Sequence, residues 1–194
     1  MKFVPTQLQG AFIVEPEPQS DERGFFARLY CHREFQRQGL NEPMVQSSVS
    51  HNAVAGTLRG MHFQSPPSRE AKLVRCQQGR MFDVIVDLRP SSSTFMQHIG
   101  VELDSGTHNA LYVPAGFAHG FQTLEPNTDV FYMMTDYYEP RLSAGARFDD
   151  PAFDIDWPLP ISVIATRDRE YKDFDATAYA SDYRQALDSG GKEQ

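Results

Sequence analysis

Two short stretches of the chain concentrate side chains able to bind anions and move protons. The first runs Gly56-Thr-Leu-Arg-Gly-Met-His-Phe-Gln64 and is followed, eight residues later, by Lys72-Leu-Val-Arg-Cys-Gln77. It offers an imidazole, a guanidinium and an ammonium, a set that can take up a proton and hold negative charge. The second, Pro114-Ala-Gly-Phe-Ala-His-Gly-Phe121, reads as a Pro- and Gly-punctuated turn that presents His119 between aromatics before the chain re-enters a strand. If the first stretch is a regular strand, Leu58, Gly60, His62 and Gln64 share one face and Arg59 points the other way. Only a bulge at Gly60 would bring Arg59 round to His62. A strand histidine can equally be a hydrogen-bonded core residue, so spacing alone leaves both readings of His62 open.

The elements that must position these residues are short and rich in Val, Ile, Phe and Tyr, with Gly, Pro, Asn or Ser between them roughly every ten residues. Strands are expected over residues 11–15, 24–30, 44–51, 56–62, 72–77, 80–88, 97–103, 110–113, 120–124 and 129–135. Helix is scarce: one short segment at 33–38, stopped by Gly39, and another near 182–187. Met81 to Leu88 is almost unbroken apolar sequence interrupted by Asp83 and Asp87, as suits a strand deep in a sandwich, and Asp83 is expected to be buried or at a site. Strands with turn chemistry between them and no βαβ alternation predict an all-β double-sheet jelly roll or barrel. One domain is expected over residues 1–175, with a C-terminal helix and polar tail over 176–194, frayed from Asp188.

The chain has 194 residues and a formal net charge of −8, with 40% hydrophobic side chains including 14 Phe and eight Tyr. That is apolar material for a single large core and rules against intrinsic disorder. Few and scattered basic residues argue against a nucleic-acid partner. No apolar run approaches the length of about 18 residues needed to span a bilayer, and the first ten residues lack the charged and apolar regions of a signal peptide, so a cytoplasmic location without membrane contact is expected. Two cysteines, Cys31 and Cys76, without paired spacing, provide neither a disulfide framework nor a thiolate zinc site.

Together the two histidine stretches resemble the two motifs of the cupin superfamily of jelly rolls. Gln64 stands where the second histidine of the first motif belongs, and Thr123 replaces the usual Asn of the second motif. Two imidazoles without a matching carboxylate make a poor divalent-metal site, so no metal is expected. A narrower resemblance follows from Asp21-Glu-Arg-Gly-Phe-Phe26, Leu58-Arg-Gly-Met-His-Phe-Gln64, Lys72-Leu-Val-Arg75, Asp83-Val-Ile-Val-Asp-Leu-Arg89, Pro114 to Phe121, Tyr132, Thr135-Asp-Tyr-Tyr-Glu-Pro140, Asp149-Asp-Pro151 and Asp156-Trp-Pro158. In this order the blocks resemble the dTDP-4-dehydrorhamnose 3,5-epimerase family of sugar-nucleotide enzymes.

That resemblance implies a cupin-type double-sheet jelly roll with a few short helices. It also implies epimerisation beside the ketone of a 4-keto-6-deoxy sugar nucleotide, without redox cofactor or metal. His62 matches the base, Asp168 the carboxylate that orients it, and Tyr132 the acid on the far ring face. Lys72 and Arg59 match cations near the sugar oxygen and pyrophosphate, with His119 in the same pocket. Arg23 matches a phosphate contact and Tyr138 a nucleobase-stacking aromatic, and Phe26, Gln46, Ser48 and Arg167 fall at further substrate-binding positions. Family members are homodimers whose N-terminal strands cross to the partner, which places Arg23 and its neighbours at the other subunit's pocket.

Several positions on the nucleotide side depart from the common pattern: Arg28 where Glu is usual, Ser47 and Ser48 where Asp and Asn are usual, Ser143 for Glu, and Met133 for Lys beside the acid. Donor and acceptor patterns differ between these side chains. Two enzyme readings therefore stand: a 3,5-epimerase of dTDP-4-keto-6-deoxyglucose, and an epimerase acting on one or both carbons of a different NDP-4-keto sugar. A metal-dependent cupin oxygenase and a non-catalytic sugar-nucleotide-binding cupin are the readings from other classes.

Overall fold

The computed structural model describes residues 1–190. Two antiparallel sheets are stacked as a jelly roll. The first has the order β1 (Lys2–Pro5), β2 (Phe12–Glu15), β10 (Ala110–Val113), β7 (Lys72–Gln78), β12 (Thr128–Met134), β5 (Gln46–Asn52). The second has the order β13 (Ser143–Gly145), β6 (Thr57–Gln64), β11 (Phe117–Thr123), β8 (Arg80–Asp87), β9 (His98–Asp104), with β14 (Val163–Ile164) parallel to β6. A separate hairpin, β3 (Gln19–Asp21) with β4 (Gly24–Phe26), joins neither sheet and is exposed throughout.

Three apolar layers hold this arrangement. Between the sheets lie Val74, Cys76, Met81, Ile85, Leu103, Leu111, Phe117, Phe121 and Val130. The outer face of the second sheet, with Met61, Phe63, Val84 and Val86, is covered by Phe153, Trp157, Phe174 and Tyr179 from the C-terminal third. The outer face of the first, with Leu73, Ala110 and Tyr112, is covered by Phe35 of α1 (His32–Gln36), Tyr30, Leu40 and Met44. β8 is therefore buried on both faces, which is why its sequence is a nearly continuous apolar run.

The expected strands are present with shifted ends: 24–30 shortens to Gly24–Phe26, and 120–124 becomes Phe117–Thr123. His119 therefore sits inside a strand, the turn having closed at Gly116, where φ is +81°. The helix expected at 182–187 is longer, α3 (Ala176–Gly190), and the expected fraying falls partly on 191–194, outside the described residues. β1, β3, β13, β14 and α2 (Thr166–Arg169) were not expected from the pattern. Among the described residues no helix is long and apolar enough to cross a membrane.

Candidate active site

At one end of the space between the sheets the inward positions change from apolar to polar, and a cavity of about 390 Å³ opens there. β5 contributes Gln46 and Ser48, β6 Arg59 and His62, β7 Lys72, β11 His119, and β12 Tyr132. Tyr138, Ser143 and Arg167 close the rim. The set holds three permanent cations, Arg59, Lys72 and Arg167, against one carboxylate, Glu70, so the cavity favours an anion within a chain of net charge −8.

Arg59 and His62 do face the same space. His119 pairs with His62 and Phe121 with Arg59, so Gly60 and Met61 on β6 oppose the single Gly120 on β11. This bulge restores the two-residue alternation that a three-residue spacing would break. It requires glycine on both strands, because a Cβ on Gly60 would lie 2.5 Å from the Gly120 Cα, and a Cβ on Gly120 would lie 2.9 Å from the Arg59 carbonyl oxygen. Arg59 is then aimed by its Nε–H, which donates to Asn52 Oδ1 at 2.8 Å.

His62 is backed by Asp168, which α2 delivers behind β6 with only 2% exposure. His62 Nε2 and Asp168 Oδ1 are 2.7 Å apart, and the Gly60 N–H donates to Asp168 Oδ2 at 3.2 Å. Burial opposes ionisation of Asp168, but the His62 hydrogen bond and charge, the Gly60 N–H and the nearby Arg167 outweigh it, holding the carboxyl below the usual carboxylate range. A carboxylate can only accept, so the imidazole proton resides on Nε2 and Nδ1 carries the free lone pair. Arg167 stands beside the pair, its Nη2 3.2 Å from His62 Nε2.

The partner strand repeats the device: His119 Nε2 is 2.7 Å from Oδ1 of the fully buried Asp83, whose Oδ2 has no partner among the described residues. Tyr132 belongs to the other sheet. Its hydroxyl is pushed up, mainly by burial and also by Glu70, with Arg59 opposing, so it stays protonated at neutral pH. The Gln46 Oε1 accepts from the Tyr138 N–H at 3.1 Å, which fixes that half-exposed aromatic at the rim.

Of the sequence-derived site residues, Gln46, Ser48, Arg59, His62, Lys72, His119, Tyr132, Tyr138 and Arg167 line the cavity, and Asp168 lies directly behind His62. Arg23 and Phe26 do not; they sit on the exposed β3–β4 hairpin, where Arg23 pairs with Asp21. Three departures noted in the sequence, Arg28, Ser47 and Met133, do not line the cavity. Arg28 pairs with Glu34 at 3.4 Å, and Met133 packs into the outer layer of the first sheet, on the opposite face from Tyr132. Glu70 was missed, although an acid two residues before Lys72 in an extended segment falls on the same face. The donor set does not suit a metal: His62 and His119 are two imidazoles with no third ligand beside them, and no cluster of three or more His, Cys, Asp or Glu capable of holding an ion occurs among the described residues.

The model of the family described as dTDP-4-dehydrorhamnose 3,5-epimerase matches residues 5–176. The chain belongs to this family. A dTDP-4-dehydrorhamnose 3,5-epimerase of Methanothermobacter thermautotrophicus is 41% identical, over 88% of this chain and 93% of its own. A crystal structure of the Bacillus anthracis dTDP-4-dehydrorhamnose 3,5-epimerase with TDP and PPi bound superposes with a TM-score of 0.86 at 39% identity, covering 89% of this chain and 99% of that one. A Streptomyces niveus protein named dTDP-4-dehydrorhamnose 3-epimerase is 33% identical over 88% of this chain and 82% of its own. Membership in the dTDP-4-dehydrorhamnose 3,5-epimerase family makes the chain an isomerase, a carbohydrate epimerase on a cupin-type jelly roll.

Proposed function

We propose that this epimerase inverts C3 and C5 of a dTDP-linked 4-keto-6-deoxyhexose without cofactor or metal, with His62 as base and Tyr132 as acid. The observation that carries the reading is that His62, backed by Asp168, and Tyr132 enter one cationic cavity from different sheets. A sugar ring held between them would expose opposite faces to the two groups. His62 Nδ1 takes the proton from the carbon beside the ketone, and the C–H electron pair passes into an enolate with its charge on the C4 oxygen. Lys72 stabilises that oxygen and Arg59 the pyrophosphate. Tyr132 then donates its proton to the carbon from the other face, which inverts the centre, and solvent returns a proton to Tyr132 and removes one from the His62 imidazolium. Asp168 stabilises that imidazolium and fixes its tautomer.

Ser48 and Ser143 line the cavity at positions where the resemblance leads one to expect Asn and Glu, and this favours a second reading, in which the same chemistry acts on a sugar carried by a different nucleotide. Incubation with dTDP-4-keto-6-deoxyglucose, followed by the ring proton couplings of the product, separates the two. The proposal expects both centres inverted. Unchanged dTDP-sugar alongside turnover of a CDP- or GDP-linked 4-keto sugar would move the assignment to the second reading.

A further inference from the structure

Glu70 has no part in the steps above, yet it is the most enclosed charge on the cavity wall, with a side chain only 7% exposed. A carboxylate so placed is costly unless it is fully engaged. Its oxygens are divided between two partners: Oε1 faces Lys72 Nζ at 3.1 Å, and Oε2 accepts from Gln64 Nε2 at 3.0 Å. The rest of Gln64 turns to the rim. Its Oε1 accepts the Glu139 N–H at 3.1 Å, and its Nε2 also reaches the Tyr137 carbonyl at 3.5 Å. Glu70 is anchored a second time through its own N–H, which donates to Ser68 Oγ at 3.2 Å, and that hydroxyl donates to Asp136 Oδ2 at 3.0 Å. A continuous path, an ion pair followed by hydrogen bonds, therefore runs from the Lys72 ammonium to the backbone on both sides of Tyr138.

A lysine is a point charge on a flexible stem, and Arg59 and Arg167 lining the same cavity disfavour a third cation there. We infer that Glu70 is a positioning residue: it fixes the Lys72 ammonium in the cavity and, through Gln64, ties that position to the Tyr138 segment. The consequence drawn for turnover rests on the epimerase reading; the network itself does not.

The test uses the substrate-free protein first. Lysine ammonium protons held in an enclosed ion pair exchange slowly enough to be seen by ¹⁵N NMR, and the chain has four lysines, Lys2, Lys72, Lys172 and Lys192. We expect one slowly exchanging ammonium signal that vanishes in Lys72→Arg, which assigns it, and in Glu70→Gln, which keeps the Gln64 partner but removes the charge. Absence of the signal from the unaltered protein, or its survival unchanged in Glu70→Gln, overturns the inference. If Glu70→Gln does not fold, Glu70→Asp draws the charge back by one methylene and is expected to speed exchange, and an unchanged rate there is equally contrary. On whichever keto sugar nucleotide the protein turns over, Glu70→Gln is expected to lower kcat by about 10- to 100-fold, as a displaced catalytic charge does, with KM within about twofold. Unaltered kcat in a folded Glu70→Gln overturns the inference. Lack of turnover by the unaltered protein on dTDP-, CDP- and GDP-linked substrates would defeat the epimerase reading and leave the ammonium measurement to decide on Glu70.

Discussion

Two histidines face the cavity and each has an aspartate behind it, but the two pairs differ in access. His62 is one-third exposed at its side chain, whereas His119 is only 10% exposed. The more accessible imidazole is the one assigned as base. Asp168→Asn, which cannot stabilise the imidazolium, is expected to reduce kcat by about 10²- to 10⁴-fold with the fold retained; steady-state rates check this. The same variant has a pH signature. Because the Asp168 carboxyl is depressed in the folded chain, its stabilising contribution is fully present above the ordinary carboxylate value of about 3.9 and is lost as pH falls through the lower folded value. Melting curves of the two proteins are thus expected to be furthest apart near neutral pH and to converge below pH of about 3.9. For Tyr132→Phe, substrate deuteration in D₂O is expected to continue while inverted product falls; loss of deuteration would refute the division of labour between the two faces. At this scale the resemblance located His62, Tyr132 and Asp168, and a lone acid in an apolar run marked Asp83. Glu70 was not legible because its meaning depends on Gln64 and on residues 137–139, which only the folded chain brings to it.

The strand rhythm was readable because about ten residues per strand and turn, with Gly or Pro between, is a pattern that survives in sequence. β13, β14 and α2 were not, since elements of two to four residues contain no full period, and α2 carries Asp168. The co-location of Arg59 and His62 hung on a bulge that the glycines permit but do not announce. Gly120→Ala is expected to cost about 1–3 kcal/mol, as overpacking does, because its Cβ would lie 2.6 Å from Met61 Sδ and 2.9 Å from a backbone oxygen. Denaturant midpoints measure this, and the slackened β6–β11 register should lower activity with it. α3 acts from behind the site: Tyr179 meets Phe63, the residue after His62, at 5.7 Å and Phe174 at 5.0 Å. Tyr179→Ala should destabilise by about 2–4 kcal/mol, and an unfolding midpoint within error of the parent would show the helix to be dispensable.

The whole molecule joins an acidic surface to a cationic interior end, an arrangement that suits a small anionic substrate and not a polyanion. Its least integrated part is the β3–β4 hairpin, which bears Phe25 and Phe26 at 54% and 71% exposure and holds Arg23 away from the chain's own cavity. We propose that it completes the cavity of a second copy. Sedimentation should then give twice the chain mass of 22.0 kDa, and a monomer would contradict this. Phe26→Ser is expected to weaken that association and raise KM at low protein concentration. The central claim, that His62 removes the protons beside the ketone, is met most directly by ring-proton NMR of dTDP-4-keto-6-deoxyglucose in D₂O. The unaltered protein should wash out the C3 and C5 signals while His62→Ala leaves both intact; exchange that persists in His62→Ala would contradict the account.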